Sequence, residues 1–130
     1  MTAARVLFVC VENSNRSQMA EGFARLHGGA RVEALSAGSR PSGRINPRAI
    51  QFMAEVGVDL SSHTSKSLDQ IEGEFAAVVT MGCGDNCPWL PAQRRIDWQL
   101  VDPKDLSDAD YRAVRDDIEA RVVALLSTLR

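Results

Sequence analysis

The chain predicts an α/β fold: one domain over residues 1–130, built as a three-layer sandwich in which helices flank a four-stranded parallel sheet. Three observations carry that expectation. Short apolar, β-rich runs alternate with stretches whose apolar residues recur at helical spacing. The run from Phe75 to Thr80 is uninterrupted, as strands covered on both faces require. The chain's 130 residues, 45% of them hydrophobic, suit a single sizeable core.

The elements follow in order. Arg5 to Val9 is the first strand. Ser17 to Leu26 places Met19, Phe23 and Leu26 on one helical face, and His27, Gly28 and Gly29 end that helix. Val32 to Ala37 is the second strand. Asn46 is a helix cap followed by Pro47 at the first helical position, with Ile50, Met53 and Val56 at helical spacing before Gly57. Leu68 to Ile71 forms a short helix, Phe75 to Thr80 the third strand, and Ile96 to Leu100 a short fourth. Ser107 and Asp110 make a capping box, with Leu106 and Tyr111 as its hydrophobic staple. Tyr111, Val114, Ile118, Val122, Leu125 and Leu129 then share one face of the last helix.

A formal charge of -2 leaves no basic footprint for nucleic acid, and no apolar run approaches the ~20 residues of a membrane span. Met1 to Arg5 lacks the zones of a secretory signal, so a cytoplasmic protein is expected, working as a monomer. Three cysteines are too few for a disulfide scaffold and point to reactive or metal-binding thiols.

The chemistry concentrates where the first strand turns into the first helix. Cys10 is followed by Val11, Glu12, Asn13, Ser14 and Asn15, then by Arg16 and Ser17. A loop of this length curls its amides toward one centre above a helix N-terminus, which makes a cup for a tetrahedral oxyanion contacted by residues 11–16. The same field favours a thiolate over a thiol. Arg16 supplies a planar fork for two oxyanion oxygens, and Ser17 a hydrogen bond to the Cys10 sulfur. The loop has no glycine, yet closing it requires one residue at positive φ; asparagine costs least, and Asn13 is favoured over Asn15. Asp102, before Pro103, is placed as a general acid for a poor leaving group, or else merely begins a turn.

These residues, with Gln18 to Glu21, Ser36 to Gly38, Asn46 and Pro47, His63 to Ser65, and Asp102 and Pro103, resemble the low-molecular-weight tyrosine phosphatase superfamily over essentially the whole chain. Within it the chain is similar to the arsenate reductases that share the phosphatase fold. The resemblance implies that Cys10 attacks arsenate, Arg16 orients it and Asp102 protonates the leaving oxygen, with phosphate or sulfate as competing oxyanions. It implies further that Cys83 attacks the cysteinyl adduct to release arsenite. Cys87 then takes over the disulfide for reduction by thioredoxin, or by glutaredoxin with glutathione; no cofactor is bound. The three residues between Cys83 and Cys87 are fewer than in the thioredoxin-linked reductases, which favours a small, strained disulfide.

Some members hold potassium beside the loop through an asparagine, a glutamate, a serine and an acidic residue. Asn13, Glu21 and Ser36 match, but Lys66 stands at the acidic position, where its ammonium can replace the cation and stiffen Asn13. Two alternatives stay open. One is a phosphatase acting through a Cys10 phosphoenzyme, disfavoured for phosphotyrosine because the sole tyrosine, Tyr111, belongs to the last helix. The other is a zinc- or arsenite-binding module using Cys83 and Cys87 with His63 or His27. The histidines are otherwise structural, His27 capping a helix and His63 ordering a turn. Trp89 and Trp98 are expected to pack on the cysteine segment or a partner.

Overall fold

The computed structural model describes residues 3–81 and 90–129. Four strands, β1 (Ala4–Cys10), β2 (Val32–Gly38), β3 (Phe75–Thr80) and β4 (Ala92–Asp97), form one sheet in the order β2-β1-β3-β4, every pairing parallel. Among the described residues three α-helices accompany it: α1 (Arg16–Gly28), α2 (Pro47–Ala54) and α3 (Asp108–Ser127). Short 3-10 turns lie at Gly29–Arg31, Leu68–Gln70 and Pro103–Asp105.

The sheet separates two apolar clusters. On one face Val6, Phe8, Ala77 and Val79 meet Met19 and Phe23 of α1, Phe52 and Met53 of α2, and Tyr111, Ile118 and Val122 of α3. On the other, Leu7, Val9, Ala37 and Val78 are covered by Leu68 and half-buried Ile71 and Leu90. Because β1 is central and its neighbours diverge in chain order, its carboxyl end lies at the point where the winding reverses, the usual crevice of open α/β sheets. Cys10 occupies that end.

Local signals set most boundaries. The Asn46 side chain accepts from the Arg48 amide at 2.9 Å, and the Ser107 hydroxyl from the Asp110 amide at 3.2 Å. Three expectations need correction. The fourth strand is Ala92–Asp97 rather than Ile96 to Leu100: it is the sheet's edge, so its exposed Gln93, Arg94 and Arg95 carry no apolar alternation, and charge suits an edge. Trp98 is buried against Phe8, with ring centroids 6.0 Å apart, as core rather than as a docking surface. Leu26 is 52% exposed, since the last turn of α1 overhangs the core its earlier turns cover. Among the described residues no helix is long and apolar enough to cross a membrane.

Candidate active site

The loop after Cys10 is held from outside by its carbonyls. Val11 O accepts from the Arg40 amide at 2.8 Å, Glu12 O from Ser42 at 3.0 Å and Ser14 O from Asn46 at 3.0 Å. The contact with β2 needs Gly38, where a Cβ would lie 2.5 Å from Val11 O. The amides of residues 12–15 donate to no other described residue. Nor is α1 capped by its N-cap side chain: the Asn15 oxygen instead accepts the Tyr111 hydroxyl at 2.6 Å. The first-turn donors of α1 are thereby left for an anion.

Asn13 supplies the positive φ, at 51°, and its buried amide organises the surroundings of Cys10. The Lys66 amide donates to Asn13 Oδ1 at 2.8 Å and Gln18 Nε2 donates at 2.9 Å, which fixes that atom as the acceptor. Asn13 Nδ2 is then the donor to Ser17 Oγ, at 2.7 Å. With its oxygen accepting there, the Ser17 hydroxyl keeps its proton free for Cys10 Sγ, 2.8 Å away, which accepts it when ionised. A directed chain of donors thus ends on the sulfur.

Cys10 opens into a cavity of about 440 Å³ lined by Cys10, Val11, Glu12, Ser14, Asn15, Arg16, Arg40 and Asp102. Arg16 is buried; its Nη1 donates to Leu100 O at 3.1 Å and its Nη2 lies 3.9 Å from Asp102 Oδ2. The other Asp102 oxygen accepts from the Lys104 amide at 3.0 Å, so this residue both caps the 103–105 turn and faces the cavity. Arg48 holds the same turn, donating to Pro103 O at 3.4 Å and Lys104 O at 3.1 Å while its guanidinium lies 4.6 Å from the centre of the Tyr111 ring. Burial, foremost, raises the Tyr111 pKa, keeping its hydroxyl a donor.

Behind the loop, Gln18 Nε2 also donates to Thr64 O at 2.9 Å, leaving Gln18 Oε1 to accept from His63 Nδ1 at 3.0 Å. Burial lowers the His63 pKa against the opposing pull of Glu21. Glu21 accepts the Ser36 hydroxyl at 2.5 Å and pairs with Arg25 at 2.9 Å. The Lys66 ammonium donates to Thr64 O at 2.9 Å and lies 3.9 Å from Glu21 Oε1; burial lowers its pKa. These residues do not fit a potassium ion, because the Lys66 ammonium already sets its charge against the Glu21 carboxylate and Thr64 O. The ammonium does not reach Asn13, however; the Lys66 backbone amide does.

Of the residues expected to contact an oxyanion, five of the loop, Val11, Glu12, Ser14, Asn15 and Arg16, line the cavity, and Asn13 does not: its side chain turns into the protein. Cys10 and Asp102 line one cavity and Ser17 lies against the Cys10 sulfur, while Glu21, Ser36 and Lys66 form one cluster. Cys83, Cys87 and Trp89 lie outside the described residues. His27 pairs with Glu119 of α3 at 2.8 Å rather than capping its helix. Among the described residues no three His, Cys, Asp or Glu side chains are placed to hold a metal. Sequence reasoning missed Arg40, Arg48, Gln18 and the role of Tyr111. Only Tyr111 carried a signal, an apolar-face position bearing a hydroxyl that needs a partner.

Residues 5–130 match the low molecular weight phosphotyrosine protein phosphatase family. The glutaredoxin arsenate reductase of Synechocystis sp. is 40% identical over 129 residues, covering 96% of this chain and 98% of that protein. Among solved structures, one described as an arsenate reductase in the phosphate binding state superposes with a TM-score of 0.90 at 38% identity, covering 98% of this chain and 99% of that one. A thioredoxin-dependent arsenate reductase of Corynebacterium glutamicum superposes with a TM-score of 0.82 at 34% identity, covering 97% of this chain and 61% of the other.

Proposed function

The chain belongs to the low molecular weight phosphotyrosine protein phosphatase family, and from that premise we propose that it is an arsenate reductase working through a thiol relay. One observation carries the reading: Cys10 Sγ, hydrogen-bonded to Ser17, opens into a cavity that also holds Arg16 and Asp102 and has no aromatic wall among its described lining residues. Such a site suits a small inorganic oxyanion better than a phosphotyrosine ring. The relatives named arsenate reductase, two of them by their glutaredoxin or thioredoxin link, support the same reading.

In the first step the Cys10 thiolate attacks arsenic while the loop amides and Arg16 hold the oxyanion. Asp102 gives its proton to the departing oxygen, which leaves as water, and an S–As bond forms. Cys83 then attacks the Cys10 sulfur. The S–As bond breaks with its electron pair on arsenic, As(V) becomes As(III), arsenite departs and a Cys10–Cys83 disulfide remains. Cys83 follows by two residues Met81, whose amide donates to Val9 O at 2.8 Å beside Cys10. Exchange with Cys87 frees Cys10, and thioredoxin, or glutaredoxin with glutathione, supplies two electrons to reopen the final disulfide. Asn13, Glu21, Ser36 and Lys66 keep the loop in shape, the ammonium standing in for a cation. In this reading no cofactor is bound, phosphate and sulfate compete with arsenate, and the enzyme is a cytoplasmic monomer with no nucleic-acid or membrane partner.

The test is arsenate turnover followed by NADPH oxidation, with thioredoxin and glutaredoxin systems supplied separately, for wild type, Cys83→Ser and Cys87→Ser. Loss of reduction in Cys83→Ser with either donor is expected. Turnover surviving that substitution would defeat the relay, and activity of Cys87→Ser with glutaredoxin alone would shorten it to Cys10 and Cys83.

A further inference from the structure

We propose that Arg40 is a second guanidinium for the substrate, binding the outward oxygens of the oxyanion and setting its affinity while Arg16 works beside the sulfur. The inference rests on the oxyanion reading of the cavity. Arg40 lines that cavity with Cys10, Arg16 and Asp102, yet it comes from the segment after β2 rather than from the nucleophile loop. Its position is fixed at the backbone: the Arg40 amide donates to Val11 O at 2.8 Å, two residues before the Ser42 amide reaches Glu12 O at 3.0 Å. The side chain therefore starts from a point in register with the loop rim.

Charge balance gives this placement its meaning. Arg16 faces Asp102 at 3.9 Å and is tied to Leu100 O, and Lys104, at the rim, faces Glu12 at 4.0 Å. Each of those cations already has a carboxylate near it. Among the described residues Arg40 has none. A doubly charged oxyanion entering beside a thiolate needs more positive charge than a half-balanced Arg16 and a helix N-terminus provide. Arg40 supplies it, and its exposure lets it meet the anion at the mouth and follow it inward. Its planar fork is preset to take two oxygens side by side, whereas a lysine's ammonium acts as a point charge with no fixed fork.

The experiment measures inorganic phosphate binding by calorimetry to the reduced protein, which needs no turnover, alongside arsenate kcat and KM. The variants are Arg40→Gln, Arg40→Lys and Arg44→Gln, the last making the same charge change at an arginine that does not line the cavity. Arg40→Gln is expected to weaken phosphate about tenfold and to raise the arsenate KM by a similar factor, with kcat within about twofold. Arg40→Lys should recover part of the loss, and Arg44→Gln should bind phosphate as wild type does. Equal losses at Arg40 and Arg44 would overturn the proposal, since net charge alone would explain them. So would unchanged phosphate affinity in Arg40→Gln, including the case where only the KM for the reducing protein rises. Wild type that binds phosphate Arg40-dependently but reduces no arsenate would sink the reductase reading and leave this inference standing.

Discussion

Replacing Asn13 by alanine removes three side-chain hydrogen bonds from a fully buried position: those from Lys66 N at 2.8 Å and Gln18 Nε2 at 2.9 Å, and that to Ser17 at 2.7 Å. At roughly 1 kcal/mol net for each bond, the lost bonds amount to about 3 kcal/mol, more where a donor such as the Lys66 amide stays unpaired. Alanine must also hold the φ of 51° that asparagine tolerates, which adds roughly 1 kcal/mol. The expected loss is therefore about 4 kcal/mol, read as a fall in the urea midpoint at unchanged m and a drop in Tm of about 10 to 20 °C.

Asn13→Asp separates stability from reactivity. The introduced carboxylate still accepts from Lys66 and Gln18, so much of the fold's support survives, but it faces Ser17 with an acceptor instead of a donor. The Ser17 proton then turns to that carboxylate and away from Cys10. Iodoacetamide alkylation of Cys10 at pH 7, followed by mass spectrometry, should slow about tenfold in both variants. Alanine costing under about 1 kcal/mol, or aspartate leaving alkylation at the wild-type rate, would refute the directed donor chain.

Further outcomes follow from the same geometry. Tyr111→Phe deletes the hydroxyl that holds Asn15, releasing that side chain to cap α1 and compete with the anion; arsenate KM should rise several-fold and stability fall by about 1 to 2 kcal/mol, and an unchanged KM would remove the idea. Exchanging potassium for sodium should leave arsenate turnover unchanged because Lys66 faces Glu21, and strong potassium activation would exclude that role. Glu55, hydrogen-bonded to Arg112 and then Arg115, has its pKa lowered from 4.5 to about 2, so it favours the fold above pH 4.5 and loses that contribution as the pH falls toward 2. Urea denaturation should accordingly find Glu55→Gln less stable than wild type at pH 7, with the gap closing across that acid window; a gap constant with pH would contradict the assignment.

Much of this was legible because single residues carried local constraints. Asn13 was readable as the positive-φ residue, since a glycine-free loop must put that conformation somewhere, and Ser107 and Asn46 announced their helices through side-chain oxygens. The bounds of β4 were not readable: its pairing is a backbone matter, and an edge strand whose middle is Gln93, Arg94 and Arg95 buries too little to show a period. Gln18 and His63 escaped for another reason. Nothing in a helix-interior glutamine tells that its amide will bridge Asn13, five residues back, to Thr64, because Thr64 is brought in from 46 residues away. Arg40 and Arg48 look like ordinary surface arginines until the fold sets one on the cavity wall and the other on Tyr111.

The sheet explains where Cys10 lies but not how its loop keeps its distance from Asp102, which stands well beyond the end of β4 and is on no strand. That spacing is set by Arg48 and Tyr111. Arg48 grips the carbonyls of Pro103 and Lys104 and the Asp108 carboxylate at 3.1 Å, then stacks on the Tyr111 ring, whose hydroxyl holds Asn15 of the nucleophile loop. Arg16 closes the circuit from the other side by donating to Leu100 O, two residues before the acid. The Cys10 loop and Asp102 are thus braced against each other by side chains from α2 and α3, so the distance between them is a property of helix packing. A loop cysteine and a distant aspartate can then act on one tetrahedral centre without either strand end moving. In the proposed reductase reading, the half of the chemistry that recognises and activates an oxyanion is built into the packed core, and the redox outcome is left to Cys83 and Cys87.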